Sequence, residues 1–199
     1  MKTTTDNKKT VLLVMDIQET MMAYLPDPKP LLEKVKLAIS NARQAEIEII
    51  YVVLSFRKGH PEINPKHKTF GKIKESGVMF TEGHEGTALH NSIFPGDGEL
   101  ILHKKRISAF AGSDLDMVLK AKHIDHLIIS GFATSGIVLN TVRESADKDY
   151  HLTILSDACA DMEAETHDFL MRKIFPSSGE VLTTAEWIGT LNLDHSQKS

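Results

Sequence analysis

Three polar features of this 199-residue chain stand where apolar runs end, and each has a chemical use. Asp16 closes the run Val11-Leu12-Leu13-Val14-Met15, and its carboxyl can take or give a proton. Lys104 closes the run that begins Leu100-Ile101-Leu102, and its ammonium can hold a neighbouring anion and lower the pKa of a carboxyl beside it. The segment Gly131-Phe132-Ala133-Thr134-Ser135-Gly136-Ile137 follows His126-Leu127-Ile128-Ile129-Ser130 and opens a helical pattern at about Ser135. Such a strand-turn-helix offers backbone N–H groups and a helix N-terminus to developing negative charge. An enzyme built on this turn would place its nucleophile at the head of the helix. Here Ile137 stands in that place, with no lone pair to attack with, no proton to give and no affinity for a metal. The chemistry left to these residues is that of a carboxyl beside an ammonium.

A frame must bring the three together. Apolar runs at 11–15, 47–54, 100–102, 127–130 and 152–155 alternate with amphipathic stretches, and Glu180-Val181-Leu182 suggests a sixth strand. Leu32, Val35, Ile39 and Ala42 mark one helix face at three- and four-residue spacing. Leu115, Val118 and Leu119 mark a second, Val138, Val142 and Ala146 a third, and His167, Leu170, Met171 and Ile174 a fourth; a last helix is expected around Ala185 to Leu191. Continuously apolar strands separated by helices predict an α/β protein whose parallel sheet is covered on both faces. Ligands of such sheets bind beyond the carboxyl ends of the strands, which is where Asp16, Lys104 and the 131–137 turn fall. Residues 55–98 form a connection of unusual length, carrying Pro61, Pro65 and Pro95. Segments of this kind are lids, binding loops or subunit contacts; a short helix is expected within it around Thr87 to Ile93.

Composition bounds the rest. Hydrophobic residues make up 41% and charged residues 25% of the chain, with a net charge of −4. That is the balance of one globular domain, expected over residues 10–192 between a polar, disordered arm (1–9) and a loose end (193–199). No basic stripe points to nucleic acid, and no apolar run is long enough for a membrane span. The polar N-terminal residues lack the apolar stretch of a secretory signal. A single cysteine, Cys159, allows no internal disulfide and fits a reducing cytoplasm.

The motifs around these residues resemble those of the isochorismatase-like hydrolases, the cysteine hydrolase family. Asp16 within Val14-Met15-Asp16-Ile17-Gln18 is similar to the family's aspartate motif. Lys104 stands six residues before Phe110 of a Ser108-Ala109-Phe110 segment, the family's spacing for its lysine. The stretch from Gly131 to Arg143 resembles the nucleophile segment, with Ile137 on the position of the cysteine, and Ser156-Asp157-Ala158-Cys159-Ala160 resembles a later family segment. The resemblance covers roughly residues 9 to 190. It implies a Rossmann-like three-layer α/β/α fold on a mainly parallel six-stranded sheet, a homo-oligomer, and a small-molecule substrate or ligand. It also implies a cis bond between Phe132 and Ala133, with Phe132, Ala133, Thr134 and Gly136 forming an oxyanion turn and Gln18 and Phe110 joining the pocket. Covalent amide hydrolysis by the family's route needs a thiolate and is closed here. The family's isochorismatases instead protonate an enol carbon of a vinyl ether, after which water adds, and Asp16 with Lys104 could serve that route. The alternative is a silent ligand-binding or scaffold protein. The resemblance implies no cofactor, and nicotinamidase members' Asp-x-His metal motif is replaced by Ser55-Phe56-Arg57.

Other residues compete for these roles. Lys105 neighbours Lys104, and Asp16 could be a strand-end cap or a partner of Arg143. Cys159, flanked by alanines, reads as a packing residue. Asp157 could approach the same rim or cap the turn after it. Ser135 is off the nucleophile position with no adjacent histidine. His60 and His67 lack a further ligand at a recognisable spacing, so no metal site is assigned.

Overall fold

Strand β1 (Thr10–Met15) shows why the apolar runs are continuous. Val11, Leu13 and Met15 enter the core on one side of the sheet, and Leu12 and Val14 enter it on the other. A strand buried on both faces has no solvent side to mark with polar residues. The computed structural model describes residues 9–191. Within them β2 (Glu48–Leu54), β3 (Leu100–Lys104), β4 (His126–Phe132), β5 (His151–Ala160) and β6 (Glu180–Leu182) join β1 in one sheet of order β3-β2-β1-β4-β5-β6. Every pairing is parallel.

Helices cover both faces. α1 (Glu19–Met22) is a single turn after β1, and α2 (Lys29–Gln44) buries Leu31, Leu32, Val35, Ala38, Ile39 and Ala42 against one face. α7 (Thr184–Thr190) adds Trp187 to the same layer. Its start is fixed by a capping box, in which Thr183 accepts from the Glu186 amide and Glu186 accepts from the Thr183 amide. The opposite layer holds α4 (Leu115–Ala121) and α5 (Leu139–Asp147), which contribute Leu115, Leu119 and Val142. α6 (Ala164–Phe169) runs into a wound segment, 170–177, that adds Leu170, Met171 and Phe175 to that core. The result is the expected three-layer α/β/α arrangement.

Chain order places the site. From β1 the chain goes outward to β2 and β3, then crosses back to β4 on the other side of β1. The crevice beyond the carboxyl ends of β1 and β4 is therefore a topological switch point.

Two local expectations differ from the structure. The helix expected at 87–93 is a single 3₁₀ turn, Glu85–Thr87. The α-helix of the long segment is α3 (Phe70–Ser76), whose Phe70 and Ile73 join Leu54, Phe56, Ile63 and Phe80 in a small separate core. Strand β5 does not stop at Ser156-Asp157. It continues past a register shift to Ala160, so that Ile154 pairs with Ile129 while Cys159 pairs with Gly131. Of the expected arm at 1–9 and loose end at 193–199, only Lys9 lies among the described residues; its carbonyl accepts from the Asp125 and His126 amides.

Candidate active site

Asp16 is the first residue beyond β1, and its backbone turns there into the left-handed region at φ 55°. Its amide donates to the Val52 carbonyl at 2.8 Å, which holds the turn against β2. Lys104 is the last residue of β3, and its carbonyl accepts from the Ser55 amide. The Lys104 ammonium lies 2.9 Å from Asp16 Oδ2 and donates to the Arg106 carbonyl at 2.9 Å. Both side chains are almost wholly buried, at 3% and 2% exposure. Asp16 Oδ1 is buried and has no hydrogen-bond partner among the described residues. Burial pushes the Asp16 carboxyl above its ordinary value, and the charge and hydrogen bond of Lys104 oppose that rise.

The competing partners are elsewhere. Lys105 donates to the Ser55 carbonyl and to Glu82, both at 2.8 Å. Arg143 is exposed on α5. Lys104 is therefore the cation of Asp16.

The turn after β4 contains a cis bond between Phe132 and Ala133. A wide helical turn, Thr134–Val138, carries Ile137 at 3% exposure. Phe132, Ala133, Gly136, Ile137, Asp16 and Lys104 all line one cavity of about 500 Å³. That is within the range of small-molecule sites, roughly 300–1,000 Å³. Ile137 forms part of the wall and leaves the cavity open.

The oxyanion turn is less available than expected. The Gly136 amide donates to the Ala133 carbonyl at 3.0 Å, and the Ser135 amide donates to Asp161 Oδ2 at 2.6 Å. The Thr134 hydroxyl is buried and turned to His167 Nδ1 at 2.8 Å. These groups are engaged in closing the turn.

Gln18 and Phe110 do not line the cavity. Gln18 donates to the carbonyls of Leu54 (3.0 Å) and Thr87 (2.7 Å) and accepts from the Leu54 amide (2.9 Å), so its amide group clamps the long segment onto β2. Phe110 stacks on Tyr150 with the Lys148 ammonium over its ring, inside the layer of α4 and α5.

The other candidates have structural partners. Asp157 accepts from the amide and hydroxyl of Thr184 and pairs with Lys34, tying α7 to α2. Burial pushes the Cys159 thiol up to about 12. His60 Nε2 meets the Thr81 hydroxyl, and His67 Nδ1 accepts from the amides of Thr69 and Phe70 at the start of α3.

Most of the remaining wall comes from residues that sequence reasoning did not single out: Leu54, Phe70, Ile73, Met79, Phe80 and Ile107, with Met21, Tyr24 and Met162. Their signal in the sequence is faint. Phe70 and Ile73 have helical spacing, but α3 is one seven-residue helix in a long irregular segment.

A paired carboxyl and ammonium beside the turn after β4, at the switch point of a parallel sheet, match the resemblance in the motifs. The family model of the isochorismatase domain matches residues 10–186. The chain belongs to the isochorismatase family. Within this family of small-molecule hydrolases it is similar to the uncharacterized isochorismatase family protein YwoC of Bacillus subtilis, at 27% identity over 183 residues, covering 92% of this chain and 94% of that one. It is similar also to the ureidoacrylate amidohydrolase RutB of Pantoea ananatis, at 30% identity over 172 residues, covering 76% and 69%. A cysteine hydrolase structure from Pseudomonas syringae pv. phaseolicola shares the fold, with a TM-score of 0.82 at 23% identity over 91% of both chains.

Proposed function

We propose that this chain hydrolyses a small molecule without a cysteine nucleophile, with Asp16 as the acid-base group and Lys104 as its electrostatic partner. One observation carries the reading: Asp16, a cavity-lining carboxyl, has a buried oxygen with no partner among the described residues. Burial favours its neutral form, the form that can give a proton. For a vinyl ether the steps balance as follows. The enol π electrons take the Asp16 proton to make a C–H bond, leaving an oxocarbenium ion and a carboxylate. Lys104, at 2.9 Å, stabilises that carboxylate. Water adds to the oxocarbenium carbon and its proton returns to Asp16. The hemiketal then loses its alcohol to give a carbonyl product. Ile137 takes no part except as wall.

A second reading is a pocket that binds without turnover. It draws on the engagement of the Ser135 and Gly136 amides, which already donate to Asp161 and Ala133 and so are not free to hold an oxyanion. A cytoplasmic setting and a homo-oligomeric state belong to the first reading. They rest on the single buried cysteine and on exposed apolar side chains such as Met162 and Phe169.

The test is the hydrolysis rate of purified protein on isochorismate, nicotinamide and simple carbamoyl or amide compounds, with Asp16→Asn beside it. Turnover that falls about 10²–10⁴-fold in the variant supports acid-base catalysis by Asp16. Turnover unchanged in Asp16→Asn would sink the proposal, and none on any substrate favours the binding reading.

A further inference from the structure

The cavity around Asp16 has one polar place and a long apolar wall. Phe70, Ile73, Phe80, Ile107, Phe132 and Ile137 present hydrocarbon to it. The cations nearby are already engaged. Lys104 is held by Asp16, Lys105 by Glu82 and Arg57 by Glu62. Arg106 donates to the carbonyls of Lys105 and Glu62 and lies over the Phe70 ring at 5.7 Å. Among the described residues that line the cavity, the remaining cation is Lys72, which is exposed. A carboxylate entering the cavity would face the Asp16 carboxyl and would have to compete with it for the buried Lys104 ammonium, a costly arrangement in low dielectric.

The polar place has a definite pattern. Among the described residues Asp16 Oδ1 has no hydrogen-bond partner. The Lys104 ammonium has three donors, two of which go to Asp16 Oδ2 and the Arg106 carbonyl. Asp16 and Lys104 both line the cavity, so a carboxyl and an ammonium with a further donor stand side by side at its wall. A neutral amide matches them, with its N–H to the carboxyl and its carbonyl to the ammonium; a hydroxyl can do the same with one atom.

We propose that the ligand of this cavity is a neutral, hydrophobic small molecule with a single compact polar head, an amide or hydroxyl, seated on Asp16 and Lys104, and an alkyl or aryl body along the Phe70, Phe80 and Ile107 wall. The inference rests on the cavity being the substrate site and says which molecules it takes. Polyanionic substrates are excluded by the engaged cations, and highly polar ones by the wall.

The experiment is a ligand-observed NMR titration of the full chain with acetamide, butanamide, hexanamide and phenylacetamide, and with hexanoate, phenylacetate and isochorismate. The expected result is an affinity that rises about fourfold for each methylene buried. Hexanamide should bind at least tenfold more tightly than hexanoate, and phenylacetamide than phenylacetate. In Ile107→Lys, a half-buried position on the wall, the gap between hexanamide and hexanoate should shrink at least tenfold. Affinities that do not change with chain length, carboxylates that bind as well as their amides, or no binding by any of the amides would overturn the proposal. If that variant does not fold, the series on the natural chain still decides. Binding is read here without turnover, so an apolar preference in a protein that hydrolyses nothing leaves this inference standing and ends the catalytic one. Turnover of isochorismate with no amide binding does the reverse.

Discussion

Asp16 and Lys104 meet across an intervening strand: carboxyl oxygen and ammonium are 2.9 Å apart, yet β1 and β3 each pair with β2 and not with one another. The contact is possible because Asp16 leaves β1 in a left-handed turn whose amide bonds to Val52 of β2. The long Lys104 side chain then reaches back over the end of β2. The pair is therefore a bracket for three strand ends as well as the polar floor of the cavity.

Removing one partner of so buried a pair should be costly. Lys104→Met is expected to lower stability by about 3–5 kcal/mol at neutral pH, because Asp16 would have to stay charged without a partner or take up a proton that the unfolded chain does not hold. Without Lys104 to oppose burial, the folded-state pKa of Asp16 rises further above 3.8. A folded pKa above the unfolded one means that the fold holds the proton more tightly. The deficit is therefore absent at pH below the unfolded value and grows as pH rises through the folded one. Urea unfolding at pH 4 and pH 7 checks this, and an equal loss at both values would show that the charge of Asp16 is not the cause.

Gln18 should behave as a clamp. Gln18→Ala removes the donors to the buried Leu54 and Thr87 carbonyls and the acceptor for the Leu54 amide. Each orphaned buried group costs roughly 1–3 kcal/mol. The expected outcome is at least about 2 kcal/mol of lost stability, together with faster amide exchange around Thr87 to Leu89, which the clamp joins to the end of β1. Hydrogen exchange read by mass spectrometry locates it; protection unchanged in that segment would mean that other contacts hold it.

The sheet and the pairing of Asp16 with Lys104 were legible in the sequence, because both depend on where strands end. Apolar runs mark strands buried on both faces, and a charged residue closing such a run lies at the rim. The directions of side chains beyond those ends were not legible. Gln18, two residues past Asp16, turns to β2, and Phe110 turns into the α4–α5 layer, because each satisfies local partners that spacing does not reveal. The end of β5 was hidden by Ser156 and Asp157, polar residues within a strand that continues beyond a register shift. The apolar wall was obscured because it is assembled from several separate segments, among them one short helix and isolated residues such as Phe80 and Ile107.

His167 makes a further pH dependence. Burial holds its pKa below 6.5, so the folded protein binds its proton less readily than the unfolded chain. Stability from this group is present above pH 6.5 and is lost as pH falls through the folded value. The expected result is a decline in urea midpoint just below pH 6.5 that is shallower in His167→Gln. The same variant alters the contact with the Thr134 hydroxyl in the turn that carries Ile137. Identical slopes in the two proteins would place the decline in other groups.

The openness of position 137 can be read with a thiol. In the natural chain Cys159 is buried within β5 with its pKa pushed up to about 12, so at pH 8 its thiol stays protonated. Iodoacetamide should leave the folded protein unlabelled and label it once in urea. Ile137→Cys puts a second thiol on the cavity wall, in the same cavity as the Lys104 ammonium, which favours a thiolate there. Folded Ile137→Cys should therefore take one label at pH 8 while Cys159 still takes none, and a hydrophobic amide occupying the cavity should slow that reaction. Intact-mass measurement counts the labels. A folded variant that stays unlabelled would mean that the wall at 137 is closed to small molecules. The isoleucine would then be a plug rather than part of a binding surface, and catalysis at this rim would lose its entry path.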